Sequence, residues 1–323
     1  MEQRNLGRTG LRIARLGLGA MTWGRDTDEQ EAGQALRAYL DAGGNLVDTA
    51  DVYGDGTSEQ VIGALLDNLV PRSELILATK AGCVPGERRF DASRRHLLAA
   101  LDASLSRLGV DYVDLWQLHA YDPLTPLDET LSALDVAVSS GRARYGGISN
   151  YSGWQTAKAA TWQTTAPGQA RIASTQLEYS LLQRGIEREA LPAAVDAGIG
   201  VLAWSPLGRG VLTGKYRAAD TPANSRLASA HWSPFVKPYL GERCRWIVDA
   251  VVTAAEGLGA SPLKVALAWV RDRPGVSALL VGARTTDQLR SSLAAEQLVL
   301  PLEIRRALDD VSMPALGYPE GAE

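Results

Sequence analysis

A (β/α)8 barrel is the fold class this 323-residue chain predicts, as a single domain over residues 1–323 with an N-terminal hairpin and extra C-terminal helices. Three observations point there. Short apolar strands alternate with helical patterns eight times in about 300 residues, roughly 40 residues per unit with few obvious linkers. Polar residues recur at strand ends all the way round, rather than at one crossover point as an open doubly wound sheet would have it. The first strand runs into Gly17-Leu18-Gly19-Ala20-Met21-Thr22, so the Gly-x-Gly-x-x-Gly fingerprint of that alternative is absent.

The elements follow in order. Turn signals at Leu6-Gly7-Arg8 and Thr9-Gly10 predict a hairpin, then a strand near residues 15–19. Ala32, Ala35, Leu36, Tyr39 and Leu40 stand at helical spacing over 28–40, and Gly43-Gly44 stops that helix. Leu46-Val47 is a short apolar strand closed by Asp48. Tyr53 follows in a Gly-rich loop, and a helix opens at Thr57-Ser58-Glu59-Gln60. The strand over 74–80 ends in Lys80 and leads to a helix over 91–108. The strand over 112–119 ends in His119 and leads to a helix over 127–140. A strand over 143–149 runs into Asn150 and a helix from 152 to 163. The strand 172–176 and helix 187–197 come next, then the strand 200–204 and the longest irregular stretch, 205–242. Helices over 243–257 and 262–271, a strand over 276–282, and helices over 286–296 and 302–311 close the chain.

Composition narrows the function classes. The net charge of −4 lacks the basic surplus of a nucleic-acid binder. Cys83 and Cys244 are far apart and form no metal-ligand spacing, which implies no disulfide framework and a reducing compartment. No apolar run approaches the length of a membrane span, and the N-terminus has no apolar signal core, so a cytoplasmic protein is expected. No assembly state is read from the sequence.

In a barrel the ends of neighbouring strands share one rim, so Asp48, Tyr53, Lys80 and His119 are expected around one mouth. Taken singly, each has a plainer explanation: a scaffold histidine, a solvated lysine, a turn-capping aspartate, a packed tyrosine. Together they suit adding a proton to a carbonyl oxygen. A tyrosine hydroxyl is a poor acid at neutral pH, and a neighbouring ammonium favours its phenolate form. A carboxylate holds that ammonium, and an imidazole orients the carbonyl. The set lacks an electron source, which implies a cofactor delivering hydride.

These four residues resemble the catalytic tetrad of the aldo-keto reductase family, and the resemblance runs over nearly the whole chain. It implies that Tyr53 is the general acid, that Lys80 and Asp48 tune it, and that His119 orients the substrate. It also implies NAD(P)H bound over the rim without a Rossmann fold. Ser149, Asn150 and Gln176 would hydrogen-bond the nicotinamide carboxamide. Trp204 would stack on its face, and Ser205, Pro206 and Leu207 would approach the pyrophosphate. Lys215 would contact phosphate, and Gly282, Arg284 and Gln288 complete the pattern. Each has an ordinary structural alternative as well: a cap, a turn, a core tryptophan or a solvated charge.

Arg284 opens a helix after a strand end, where a guanidinium suits the 2′-phosphate of NADP, so NADPH is expected over NADH. The chain departs from the family where Ser291-Ser292 replace the usual Glu-Asn that holds adenine, which puts adenine contacts in question. Trp23, Phe90, Tyr121 and the region 227–235, with Trp232, are candidates for the substrate wall, or equally for loop packing.

The expected activity is therefore NADPH-dependent reduction of an aldehyde or ketone. The rival from another class is an NADPH-binding regulatory or partner subunit with little turnover. A metal-dependent barrel hydrolase is remote, because only His119 of the three histidines ends a strand; His96 falls in a helix and His231 in a loop.

Overall fold

The computed structural model describes residues 1–315 and 317, apart from 166, 218–221 and 224. Eight parallel strands close on themselves: β3 (Leu16–Gly19), β4 (Leu46–Asp48), β5 (Ile76–Ala81), β6 (Val113–Leu118), β7 (Ala143–Ser149), β8 (Ile172–Glu178), β9 (Gly200–Trp204) and β10 (Val276–Gly282). The ring is sealed where β10 pairs with β3, Leu279 beside Leu16. This is the (β/α)8 barrel that the alternation predicts.

The predicted hairpin is present as β1 (Gln3–Asn5) and β2 (Arg12–Ala14), antiparallel and outside the barrel sheet. It has a packing role. Leu6 and Ile13 enter the lower barrel and fill it together with Leu46, Ala78, Leu115, Ala173, Leu202, Ala278 and Leu280. With the base plugged by apolar side chains, the polar inward residues gather in the layer above. That division places the site.

Local chemistry explains the element ends. Asp28 caps the helix Glu29–Asp41 by accepting from the Glu31 amide at 2.8 Å. Behind that helix, Tyr39 Oη donates to Leu16 O and accepts from the Leu46 amide, tying β3 to β4. Gly44 is required there, because a Cβ would sit 2.2 Å from the Tyr39 ring. The helix expected over 91–108 begins later, at Arg94, since Ser93 is its cap and Asp91 accepts from the Ser93 amide in a turn. The helix expected from 187 begins at Ala190, because the Glu187 carboxylate is held by Arg184 and Tyr179 in a preceding 3-10 turn. The stretch 205–242 is less irregular than expected. Its described residues include 3-10 turns at Gly208–Thr213, Arg226–Ala228 and Lys237–Tyr239 and a short helix at Ser233–Val236; residues 218–221 and 224 lie outside the description. Among the described residues, no single helix is long and apolar enough to cross a membrane.

Candidate active site

The upper barrel layer brings three of the four expected groups into one chain of contacts. Lys80, from β5, is fully buried, and its ammonium donates to Asp48 Oδ2 at 2.6 Å, to Thr49 O at 2.7 Å and to Tyr53 Oη at 3.5 Å. Asp48 ends β4, and the loop after it turns through Tyr53, which opens a 3-10 turn at Tyr53–Gly56. The fourth group, His119, directly follows β6, and its ring meets the Tyr53 ring edge-on at 5.9 Å.

Burial sets the protonation states. Loss of water raises the Tyr53 phenol above its ordinary value; the Lys80 ammonium pulls it back, and the Asp48 carboxylate adds to the rise. The net shift is upward, which corrects the simpler expectation that the ammonium alone would decide it. Desolvation outweighs one neighbouring charge. Burial would likewise lower the Lys80 ammonium, but Asp48 and Tyr53 together overcome it and the net shift is upward. His119 is pulled down to about 3 by burial and then by the Lys80 charge, so its imidazole is neutral. Its Nδ1 is buried without a partner.

The expected nicotinamide residues line the same rim, with their hydrogen bonds already assigned. Ser149 Oγ donates to Gln176 O at 2.9 Å. Asn150 Nδ2 donates to His119 O and Ser149 Oγ, while its Oδ1 accepts from Trp204 Nε1 at 3.1 Å. Gln176 Nε2 donates to Asp48 Oδ1 at 2.8 Å, so its Oε1 is the end left for a ligand. Asn150 (φ 56) and Ser205 (φ 55) directly follow β7 and β9 in the left-handed region, where strained non-glycine residues gather at functional sites. Pro206 and Leu207 continue that turn, and Leu207 packs on the main core.

The cationic end of the rim fits a phosphate-bearing ligand. Burial and then the charges of Arg226 and Arg284 pull the Lys215 ammonium below its ordinary value. Burial and Arg284 do the same to Arg226, with Asp26 only a smaller counterweight. Arg284 thus acts on both Lys215 and Arg226, which gathers three cations at this end of the rim. Gly282 and Arg284 precede the helix Thr286–Leu293, and the Arg284 amide donates to Gln288 Oε1 at 3.1 Å. Ser291 and Ser292 donate back to the carbonyls of Asp287 and Gln288, so both hydroxyl protons are held by the helix backbone.

The candidate substrate wall is mixed. Trp23 is 1% exposed and packs in the main core. Tyr121 stacks edge-on with both Tyr151 and the exposed Trp154. Trp232 Nε1 donates to Asp26 Oδ2 at 3.0 Å, joining the long loop to the loop after β3. Phe90 pairs as an isolated bridge with Cys83 and is half-buried.

Sequence reasoning missed several residues here. Arg209 forms a bidentate pair with Glu178 at 2.8 and 2.9 Å and lies 3.8 Å from the centre of the Phe235 ring, pinning the long loop beside Trp204. Arg226 carries no local motif that would have marked it. Gln117 does leave a signal, as the one polar residue inside the apolar run Leu115-Trp116-Gln117-Leu118. Among the described residues, no three His, Cys, Asp or Glu side chains gather as a metal-ligand set.

Comparison with known proteins agrees with this architecture. The Aldo/keto reductase family profile matches residues 15–312. The chain is 38% identical to the uncharacterized oxidoreductase YrpG of Bacillus subtilis, covering 96% of each chain. It is 34% identical to a probable voltage-gated potassium channel subunit beta of Oryza sativa, over 100% of this chain and 99% of the relative. It is 31% identical to versiconal hemiacetal acetate reductase of Aspergillus parasiticus, over 99% of both. On a family match across nearly its whole length and a closed barrel of the expected topology, the chain belongs to the aldo/keto reductase family of NAD(P)H-dependent oxidoreductases.

Proposed function

We propose that the protein reduces an aldehyde or ketone to the alcohol with NADPH, Tyr53 giving the proton, and runs in reverse on alcohol and NADP+. The observation that carries this reading is the Lys80 ammonium, held by Asp48 at 2.6 Å and in reach of Tyr53 at 3.5 Å. NADPH, when bound, supplies hydride to the carbonyl carbon. Tyr53 is protonated at neutral pH, because burial raises it, and is ready to give that proton to the carbonyl oxygen. The Lys80 charge stabilises the phenolate left behind, and Asp48 keeps that charge in place. His119 stays neutral with a value of about 3. Its proton belongs on Nε2, where a carbonyl oxygen can accept it, since a buried Nδ1–H would have no acceptor.

Ser149, Asn150, Gln176 and Trp204 surround the nicotinamide in this reading, with Gln176 Oε1 accepting from the carboxamide. Ser205, Pro206 and Leu207 face the pyrophosphate. Lys215, Arg226 and Arg284 supply positive charge for phosphate, which favours NADPH over NADH. Ser291 and Ser292, whose hydroxyls donate to their own helix backbone and whose side chains are short, leave adenine with few side-chain contacts from that helix.

Tyr53→Phe tests the assignment. Carbonyl reduction should fall roughly 10^3-fold, while titration of NADPH fluorescence stays at the wild-type midpoint. Normal turnover by that variant would remove Tyr53 from the role. A second reading is a regulatory or partner subunit that reads NADPH, favoured by the full-length similarity to a protein named as a potassium channel subunit. Tight NADPH binding with no turnover across a broad aldehyde and ketone panel would support it instead.

A further inference from the structure

Both oxygens of Asp48 are claimed, from different sides of the barrel. Oδ2 accepts from Lys80, whereas Oδ1 accepts from Gln176 Nε2 at 2.8 Å and from Gln117 Nε2 at 3.3 Å. An ionised carboxylate only accepts, so both amides must turn their N–H groups toward it. Gln117 is held in that orientation from behind, because its Oε1 accepts from Ser174 Oγ at 3.2 Å. Gln117 and Ser174 are both fully buried.

The strand between them is built for this reach. Gln117 on β6 is in register with Gly147 on β7, and Gly147 is in register with Ser174 on β8. A Cβ on Gly147 would stand 2.3 Å from Ser174 Oγ and 3.0 Å from Gln117 Cγ. Gly147 is not among the residues with positive φ, so its backbone does not call for glycine; the space above it does. The Gln117 side chain crosses that gap to meet a hydroxyl two strands away.

We propose that Gln117, seated on Ser174 across Gly147, is a positioning residue that aims the Asp48 carboxylate at Lys80 and so keeps the ammonium charged beside Tyr53. The proposal rests on the reading of Tyr53 as the general acid. Buried side chains on the neighbouring positions Leu115, Trp116 and Leu118 are apolar, so an amide at 117 has to repay its desolvation through these two bonds. Loosening the carboxylate would let the fully buried Lys80 give up its proton more readily, because Asp48 is the largest influence holding that proton on.

The test is the kcat–pH profile of carbonyl reduction in Gln117→Met, which keeps the side-chain length and removes the donor. Expected are a kcat lower by about tenfold, an unchanged KM for NADPH, and an alkaline loss of activity that begins about one pH unit lower. Ser174→Ala, which removes only the hydroxyl behind the amide, should move the alkaline limb the same way by less. Gly147→Ala should reproduce the Gln117→Met profile. A purely structural amide would cost stability and leave the pH profile alone. Wild-type kcat and pH limb in a folded Gln117→Met would overturn the proposal. Should that variant not fold, an unmoved limb in Ser174→Ala would overturn it. Tyr53→Phe, run in parallel, separates the two levels: normal turnover there brings down the general-acid reading and the positioning role with it.

Discussion

The Lys80 ammonium and the Asp48 carboxylate stand 2.6 Å apart with side-chain exposures of 0% and 4%, an ion pair removed from water. A pair so placed stabilises little by itself, since desolvation offsets most of the attraction. Breaking it is another matter. Lys80→Met should leave a buried carboxylate whose remaining donors are two amides, and denaturant unfolding should show a loss of about 3–5 kcal/mol. Turnover should fall with it. A variant as stable as wild type would mean that the amides of Gln117 and Gln176 satisfy the buried carboxyl group by themselves.

Arg284 gives a prediction about cofactor choice. Removing a guanidinium that pairs with phosphate loses a charge-assisted contact of about 1.5–3 kcal/mol, or roughly 10- to 100-fold. Arg284→Leu should raise the KM for NADPH by that factor and leave the KM for NADH within about threefold. Equal weakening of both would show that Arg284 supports the rim without touching the 2′-phosphate.

Asp51 gives a prediction about stability. Its carboxyl is pushed up to about 7, first by burial and then by the Glu59 charge, and its Oδ1 is buried without a partner. Well below its ordinary value of 3.8 the group is protonated in folded and unfolded chains alike, and near pH 4 it costs little. As pH rises from about 4 to 7 the unfolded chain gives up this proton while the folded protein keeps it, so stability is lost across that window and is level above it. Asp51→Asn should therefore be more stable than wild type by roughly 2–4 kcal/mol at pH 8 and close to it at pH 4. His119 acts with the opposite sign. Its depressed value of about 3 means that its contribution is lost as pH falls from 6.5 toward 3. The two slopes oppose each other in wild type, and Asp51→Asn should uncover a stability that climbs from pH 4 to pH 6.5. Urea unfolding at half-unit pH intervals would measure this, and a flat profile in the variant would refute it.

The barrel, and the gathering of Asp48, Tyr53, Lys80 and His119 at one rim, were legible in the chain because they depend on local pattern. Strand periodicity, caps such as Asp28 and Ser93, and the residue ending each strand are properties of short stretches. Parallel strands then bring like ends to one rim, so Asp48, Lys80 and His119 had to be neighbours once the barrel closed. Only the tertiary structure decided what each group is bonded to and how far it is from water. It buried Trp23, turned Gln176 inward onto a carboxylate 128 positions earlier, and let desolvation outweigh the ammonium beside Tyr53. It also joined Gln117 to Ser174 over a missing side chain on Gly147. Burial and long-range hydrogen bonding are sums over the whole enclosing surface, and no stretch of sequence carries them alone.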